Sequence, residues 1–430
     1  PAEPRAARTA GVAMVFQHFS LFEALSVAEN IALGMENPPK SSALSARITE
    51  VSKTYGLPLD PVRLVGDLSA GERQRVEIIR CLLQEPKLLI MDEPTSVLTP
   101  QEVTTLFTTL RKLKAEGTSI LYISHKLEEI RTLCETATIL RGGKKVATCD
   151  PREKSARELA EMMVGGTLNS AKAHQTTLGP VMFKVSDLSL APQSAFGTSL
   201  KNISLQHKGE VLGIGGVAGN GQDELLACLS GEITTAADAI QLNGISLGHM
   251  PPNKRRALGV LAAPEERLGH AAASDMSLTE NAMLTAMTRQ SLSKSGFLDW
   301  PRAEAFAEQV INQFDVRTPG PKSAARSLSG GNLQKFVIGR EVLQDPSVLI
   351  VNQPTWGVDA AAAADIRQAL LDLASKGAAV IVISQDLDEL MEISTSFAAL
   401  NTGRLSAARP VAELSLDEIG LLLGGADAAA

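Results

Sequence analysis

The sequence predicts an α/β fold in which one unit, a mainly parallel sheet covered by helices, occurs twice along the chain. Two observations lead to this prediction. Matching segments recur at a fixed spacing, and within each copy short apolar runs alternate with helical patterns. Such alternation is typical of parallel sheets whose faces are covered by the connecting helices. A chain of 430 residues also exceeds the size at which one hydrophobic core keeps growing, so two domains are expected.

The repeat is established by one segment and by the pairs that follow it. Leu68-Ser69-Ala70-Gly71 returns as Leu328-Ser329-Gly330-Gly331, an offset of 329 minus 69, or 260. The same offset relates, without a gap, Arg80 to Arg340, Pro86 to Pro346, Pro94-Thr95 to Pro354-Thr355, Gly117 to Gly377 and Ser124 to Ser384. Upstream it falls to 251 (280 minus 29, at Glu-Asn) and to 248 (259 minus 11, at Gly-Val). Insertions are therefore expected between the motifs.

Each copy shows the same order of predicted elements. The apolar runs 88–93 and 348–353 end in acidic or amide residues and predict buried strands. Helical patterns follow at 101–116 and 360–376, and a glycine then leads to a second apolar strand, 119–123 or 378–383. The stretch from about 151 to 180 is rich in Gly, Ser, Thr and Pro. We therefore predict a first domain at 1–165, a linker at 166–180 and a second domain at 181–425.

Composition narrows the class of protein. With 44% hydrophobic and 21% charged residues the chain is globular and not disordered, and its net charge of −7 without a basic stripe argues against a nucleic-acid binder. No apolar run approaches the roughly 20 residues of a membrane helix, so any membrane role requires a partner. The four cysteines lack metal-site spacing and favour a reducing compartment: Cys81, Cys134, Cys149 and Cys228. The start at Pro1, without a signal segment, predicts an internal piece of a longer protein.

The second copy contains the frame of a phosphate-binding loop. A strand at Val211–Gly215 precedes Gly216-Val217-Ala218-Gly219-Asn220-Gly221-Gln222-Asp223, and a helix is predicted from Glu224. This frame follows G-x-x-x-x-G-K-[ST], in which backbone N–H groups and a helix N-terminus face a phosphate. Gln222 replaces the lysine that reaches the β and γ phosphates, and Asp223 replaces the hydroxyl that holds magnesium. By itself the segment is equally compatible with a plain glycine-rich turn from strand to helix.

A second, more specific pattern is the pairing of Leu-Ser-Ala-Gly or Leu-Ser-Gly-Gly with a strand that ends Asp92-Glu93-Pro94-Thr95. In this order, at this spacing and repeated, the motifs resemble the ATP-binding-cassette (ABC) ATPases. Gln17 then matches that family's Q-loop glutamine, and His125 matches its switch histidine. The resemblance implies two tandem P-loop NTPase (ABC) cassettes, each a mainly parallel sheet with helices plus a helical subdomain.

The resemblance extends to one branch of the family. Pro264-Glu265-Glu266-Arg267 is similar to the Pro-Glu-Asp-Arg segment of twin ATPases in simple-sugar importers. Val97-Leu98-Thr99-Pro100 and the loop that begins at Gly216 resemble the nucleoside-importing branch that works with a basic-membrane-protein lipoprotein. This implies ATP and Mg²⁺ as ligands, and two transmembrane permease subunits as partners, with a solute-binding lipoprotein reached through them. It also implies a peripheral position at the cytoplasmic face of the inner membrane, and no nucleic acid.

The family further implies that the two cassettes pair head to tail within the chain, which gives two ATP sites. The first would combine Gln17, Asp92, Glu93 and His125 with Ser329, Gly330 and Gly331. Here Asp92 and Gln17 would hold Mg²⁺, Glu93 would accept a proton from the attacking water, and His125 would contact the γ phosphate. The second would combine the loop residues Gly216, Gly219, Asn220, Gly221, Gln222 and Asp223 with Ser69, Ala70 and Gly71.

The catalytic positions of the second site carry Asn352, Gln353 and Gln385, which lack a base, so this site is expected not to hydrolyse ATP. Position 219 less 248 gives −29, which places the first phosphate loop before Pro1 and predicts that the chain alone is a poor ATPase. Two alternatives remain. One is a soluble twin-cassette ATPase that acts on ribosomes or nucleic acid, and the other is a regulatory cassette without turnover.

Overall fold

The computed structural model describes residues 3–16, 19–95, 98, 100–124, 126–141, 143–164, 182–192, 197–217, 219–358 and 360–424. The chain divides into two compact units. The first comprises Pro1–Leu168 together with Val217–Gly219, and the second comprises Asn169–Gly216 and Asn220–Ala430. The predicted linker at 166–180 lies outside the described residues. The domain boundaries given above therefore stay a prediction.

The first unit contains a parallel sheet in the order β1-β2-β3 and an antiparallel hairpin β4–β5. Its strands are β1 (Val12–Val15), β2 (Leu88–Asp92), β3 (Ser119–Ile123), β4 (Ala137–Arg141) and β5 (Lys144–Cys149). Its helices are α1 (Pro4–Thr9), α2 (Val27–Leu33), α3 (Ser41–Thr54), α4 (Ala70–Leu82), α5 (Pro100–Ala115), α6 (Leu127–Leu133) and α7 (Ala156–Val164).

The second unit contains a larger sheet, an antiparallel sheet in the order β10-β9-β6-β7, and a hairpin β12–β13. Its strands are β6 (Met182–Leu190), β7 (Leu200–Lys208), β8 (Val211–Gly215), β9 (Ile240–Leu242), β10 (Ile245–Ser246), β11 (Val260–Ala263), β12 (Ser293–Lys294), β13 (Phe297–Leu298), β14 (Val348–Asn352), β15 (Ala379–Ser384), β16 (Ser396–Asn401), β17 (Arg404–Leu405) and β18 (Arg409–Pro410). Its helices are α8 (Gln222–Ser230), α9 (Pro252–Ala257), α10 (Leu278–Ala286), α11 (Trp300–Gln313), α12 (Gly330–Val342), α13 (Ala360–Ser375), α14 (Leu387–Ile393) and α15 (Leu416–Leu423).

The larger sheet runs β11-β14-β15-β8-β16-β17, and its first five strands are parallel. Both of its faces are covered, which explains why its strands are continuous apolar runs. Alternate side chains of β14 enter different cores: Leu349 and Val351 pack with α10 to α13, whereas Val348 and Ile350 pack with α8 and the antiparallel sheet. The α/β fold and the predicted strands and helices are thereby confirmed.

The buried guanidinium of Arg255 anchors the far end of helix α8. It donates hydrogen bonds to the carbonyl oxygens of Cys228 and Leu229, at 2.6 and 2.9 Å, and to those of Gly248 and Met250. These carbonyls include the last groups of a helix, which have no partner within it, and a cation is favourable at that end of the dipole. Burial lowers the pKa of Arg255 to about 10. Helix α8 is thus fixed at its end, and its start faces the loop after β8.

Candidate functional site

The loop after β8 has the backbone of a phosphate-binding loop. Gly219 and Gly221 have φ of +83° and +107°, a left-handed conformation that glycine adopts without strain. A Cβ on Gly216 would come within 2.8 Å of the carbonyl oxygen of Leu400, so this position has no room for a side chain. Helix α8 begins at Gln222, two residues earlier than predicted, because the turn closes immediately after Gly221. The plain glycine-rich turn and the phosphate loop share this geometry.

The side chain of Gln222 folds back into this loop. Its Oε1 accepts a hydrogen bond from the backbone N–H of Asn220 at 3.0 Å, and its Nε2 lies 2.7 Å from where a Cβ on Gly216 would be. Only 8% of Gln222 is exposed. Backbone N–H groups of such a loop are the donors that would face a phosphate. In the second unit, therefore, a side chain of the loop already uses one of these donors.

Asn220 fastens the same loop to the turn between β16 and β17. The backbone N–H of Thr402 donates to its Oδ1 at 2.8 Å, and the backbone N–H of Gly403 donates to its carbonyl oxygen at 2.9 Å. A Cβ on Gly403 would overlap the carbonyl oxygen of Ser199, so this turn too depends on glycine. Together these bonds hold the loop in one conformation.

Two carboxyl groups, those of Asp223 and Glu265, lie near one another in the second unit. Asn352, at the end of β14, donates from Nδ2 to Oδ1 of Asp223 at 3.0 Å. Loss of hydration raises the pKa of Asp223, and the charge of Glu224 adds to the effect. Burial, followed by the charge of Asp223, raises the pKa of Glu265 to about 7. The charge of each carboxyl group is thus disfavoured by its burial and by a neighbouring acid.

Glu265 was not among the predicted site residues, although the sequence contained the signal. The offset of 248 that relates the starts of β1 and β11 carries Gln17 to position 265, since 17 plus 248 is 265. In the second copy the position that corresponds to Gln17 is therefore occupied by a glutamate, two residues after the end of β11. Acidic and amide residues are therefore exchanged between the two copies. Glu265 of the second copy corresponds to Gln17 of the first, whereas Asn352 and Gln353 correspond to Asp92 and Glu93.

The strand ends of the two copies share one backbone geometry. Glu93 and Gln353 have φ of +48° and +52°, in the left-handed region. Their backbone N–H groups donate to the carbonyl oxygens of Ile123 and Ile383 on the neighbouring strand, at 2.9 and 2.8 Å. The left-handed conformation is uncommon for a non-glycine residue, and both copies keep it at the residue that follows the strand.

The side chains at these strand ends differ between the copies. In the second unit the buried Gln353 accepts hydrogen bonds at Oε1 from the Ser384 hydroxyl, at 3.3 Å, and from the Gln385 N–H, at 3.4 Å. In the first unit Asp92 and Glu93 are partly exposed, and the Asp92 carboxylate has no hydrogen-bond or ion-pair partner among the described residues. A carboxylate of this kind suits Mg²⁺, which prefers oxygen ligands. Gln17 and His125 lie outside the described residues.

Comparisons with known proteins identify the family. The sequence profile of the ABC transporter family matches residues 2–96 and 200–356. The nucleoside import ATP-binding protein NupA of Lactococcus lactis is 37% identical over 430 aligned residues, which cover 98% of this chain and 84% of that protein. This chain belongs to the ABC transporter family. It is an ATPase of the ABC type, and the repeated units are ABC cassettes.

Other similar proteins differ in the function that their names give. The glucose import ATP-binding protein TsgD13 of Haloferax volcanii is 35% identical, over 99% of this chain and 84% of that protein. Among solved structures, the complex of archaeal ribosomal stalk protein aP1 with the recycling factor aABCE1 contains a chain that matches with a TM-score of 0.61. That match covers 93% of this chain and 74% of that chain at 18% identity. Such low identity shows a shared fold alone.

The two ABC signature segments start their helices differently. Ser69 caps α4 in a capping box, in which the N–H of Glu72 donates to the Ser69 hydroxyl and the Glu72 carboxylate accepts from the Ser69 N–H. Ser329 makes no such cap on α12, and its hydroxyl instead accepts from Nδ2 of Asn332 at 2.8 Å. The first-turn N–H groups of α12 are consequently more available to an anion than those of α4.

Arg267 lies against the start of α12. Its guanidinium occupies the space that a Cβ on Gly330 would take, lies over the ring of Trp356 at 5.9 Å, and donates to the Trp356 carbonyl oxygen. Burial lowers the pKa of Arg267, while Glu265 opposes this shift. By contrast, a Cβ on Gly331 would make only ordinary contacts with Val358, at 3.7 Å or more. Within this unit, Gly330 is thus the more restricted of the two signature glycines.

The first cassette has an open cleft where the second has a strand. In the second unit β8 pairs with both β15 and β16. Their counterparts at offset 260 are β3 and β4, and the described residues place no strand between them. A cavity of about 1160 Å³ lies there, lined by β3, β4, α6 and α7, and 51% of Leu121 and 43% of Ile123 are exposed along it. This cleft corresponds to the position of the strand that leads into a phosphate loop.

Proposed function

We propose that this chain is the ATP-hydrolysing subunit of an importer for nucleosides or simple sugars. The observation that carries the proposal is the likeness to two import ATP-binding proteins over nearly the whole chain, at 35% to 37% identity. A role on ribosomes or nucleic acid has weaker support, because the likeness to aABCE1 is limited to fold and the net charge is −7. No helix among the described residues is long and apolar enough to cross a membrane.

Two permease subunits, and through them a solute-binding lipoprotein, are the proposed partners, and the cytoplasmic face of the inner membrane is the proposed location. We propose that the cassettes of the chain pair head to tail. In that arrangement, which rests on the family resemblance, Ser329, Gly330 and Gly331 act on the nucleotide held by the first cassette. The uncapped start of α12 supports this assignment, since its N–H groups are available to a developing phosphate charge.

In the proposed first site Glu93 accepts the proton of the attacking water, and His125 contacts the γ phosphate. Asp92 and Gln17 are the proposed Mg²⁺ ligands, and the ion, when bound, supplies neutralisation of phosphate charge. The cleft between β3 and β4 corresponds to the place that β8 takes in the other cassette.

The second site is proposed to be non-hydrolytic. A primary amide cannot act as the base, and Gln353 is in addition buried and hydrogen-bonded to the neighbouring strand. Gln222 lacks the charge of a lysine and occupies its own loop. These features support one working and one idle site, and they argue against a purely regulatory protein, since Asp92 and Glu93 are retained.

The test is reconstitution with candidate permease subunits and a solute-binding lipoprotein, in vesicles with ATP supplied on the cassette side. ATPase activity should rise when the lipoprotein carries a nucleoside or a simple sugar, and Glu93→Gln should abolish both that activity and uptake. Each candidate solute is tested separately with radiolabel. ATPase activity that responds to ribosomes or nucleic acid, and not to the permease, would reverse the assignment.

A further inference from the structure

A hydrogen bond in the first cassette joins the catalytic strand end to the helix of the switch segment. Thr95, two residues after Glu93, is fully buried, and its Oγ1 donates to Oε2 of Glu129 at 2.8 Å. Glu129 lies in α6, which begins two residues after His125. The bond therefore connects the two segments that carry the proposed base and the proposed phosphate contact.

Two further groups hold this pair. Lys126 donates from Nζ to the carbonyl oxygen of Thr95 at 3.4 Å and lies 3.9 Å from Oε1 of Glu129. The Tyr122 hydroxyl on β3 donates to Oε2 of Glu129 at 2.7 Å. Burial and the nearby Glu129 raise the pKa of Tyr122, which keeps its hydroxyl protonated and therefore a donor. Thr95 is thus held through its side chain and its carbonyl oxygen at once.

The second cassette keeps the two residue types but changes their surroundings. Thr355 and Glu389 are the counterparts of Thr95 and Glu129, since 355 minus 95 and 389 minus 129 both equal 260. The Ser384 hydroxyl, which contacts Gln353, also donates to Oε2 of Glu389 at 2.9 Å. Asp386 stands in place of the lysine, so this copy retains the carboxylate and loses its cation. The threonine and the glutamate thus recur in both copies, and the lysine beside them occurs only in the first.

The backbone explains why such a bond is needed. Glu93 has a left-handed conformation, which a side-chain-bearing residue keeps only when the surrounding structure holds it. Its N–H is bonded to β3, but the following residues need their own attachment. Thr95 and Glu129 provide that attachment on the side of the switch segment.

We propose that Thr95 and Glu129 are positioning residues for ATP hydrolysis, which fix the turn at Glu93 relative to the segment that carries His125. Both residues are bonded to other protein groups and are not among the proposed nucleotide-binding residues. The inference rests on the proposed function, since it assumes that the first cassette performs hydrolysis. It predicts that loss of the bond lowers kcat and leaves KM for ATP nearly unchanged, because the bond sets the place of the base and not the binding of nucleotide.

The experiment compares Thr95→Val with its matched control Thr355→Val in the assembled importer. Valine keeps the shape of threonine and removes the donor. We expect Thr95→Val to lower kcat about 10- to 100-fold, Thr95→Ser to restore most of it, and Thr355→Val to change kcat less than twofold. Glu129→Gln keeps an acceptor oxygen and should lie between Thr95→Val and the wild type.

The thermal unfolding temperature of each variant is measured, so that a loss of kcat in a folded variant can be distinguished from a loss of folded protein. Equal losses of kcat for Thr95→Val and Thr355→Val would overturn the proposal, and so would a rise in KM with kcat unchanged. In both cases ATPase activity of the wild type would leave the proposed function intact. If Thr95→Val does not fold, Glu129→Ala decides instead, because it removes the acceptor of the Thr95 hydroxyl, and full activity in Glu129→Ala would overturn the proposal. A wild-type protein without ATPase activity would contradict the proposed function itself.

Discussion

Replacement of Gln222 by alanine is expected to strengthen ATP binding at the phosphate loop of the second cassette. The Gln222 side chain now accepts the N–H of Asn220 at 3.0 Å and fills the space beside Gly216. ATP must displace it before that N–H can reach a phosphate. A hydrogen bond of this kind contributes about 0.5 to 1.5 kcal/mol net, so its removal should lower Kd about 2- to 12-fold.

Lysine at the same position should act more strongly, because it frees the N–H and adds a cation toward the phosphates. A hydrogen bond to a charged group contributes about 1.5 to 3 kcal/mol, which brings the combined gain to about 30- to 2000-fold in Kd. Glutamate is the matched control. Gln222→Glu keeps an acceptor for the Asn220 N–H and places a negative charge against the phosphates, so binding should be weaker than in the wild type.

Isothermal titration of the 430-residue chain with ATP and Mg²⁺ measures these differences, and circular dichroism checks that each variant is folded. The expected order of affinity is Gln222→Lys, then Gln222→Ala, then the wild type, then Gln222→Glu. If Gln222→Ala and Gln222→Lys bind no more tightly than the wild type, the loop is not limited by its own side chain. The account of the second site given above would then be wrong.

Two other predictions concern the strand ends and a buried acid. Glu93→Gln should lower phosphate release by the assembled importer about 10²- to 10⁴-fold, whereas Gln353→Glu should not raise it, because a carboxylate there would share the Ser384 hydroxyl with Glu389. A severalfold gain from Gln353→Glu would contradict the asymmetric assignment. Burial raises the pKa of Glu389 to about 7, so its contribution to stability is present below its unfolded value near 4.5 and is lost as pH rises to 7. Glu389→Gln should therefore flatten the pH dependence of unfolding free energy in that range, by at most about 3 kcal/mol, in urea titrations at pH 5 and pH 8.

Much of the candidate site could be predicted from the sequence because residue type limits chemistry. An amide at position 353 cannot serve as a base wherever it lies, and the constant offset of 260 made the comparison with Glu93 unambiguous. The same offset located both signature segments. The offset of 248 could have identified Glu265 as the counterpart of Gln17. Only the structure shows that this glutamate lies near Asp223, whose charge raises its pKa.

The order of strands and helices was also determined by the sequence, since long apolar runs separated by helical patterns have few alternative structures. Which strands lie next to one another in the sheet was not determined by the sequence. β8 lies between β15 and β16, more than 160 residues away along the chain, and this pairing follows from packing on both faces of the sheet. The contrast between the buried β15 and the exposed edge of β3, and hence the cleft in the first cassette, depends on that arrangement.

The sequence by itself determined the family, the repeat and the chemical inequality of the two copies, because these depend on which residues occur in which order. Only the tertiary structure decided that Gln222 occupies its own loop, that Ser69 caps its helix while Ser329 does not, and that Thr95 reaches Glu129. Each of these is a choice of hydrogen-bond partner among several that the sequence allows. The choice depends on which groups the folded chain brings within about 3 Å of one another and removes from water.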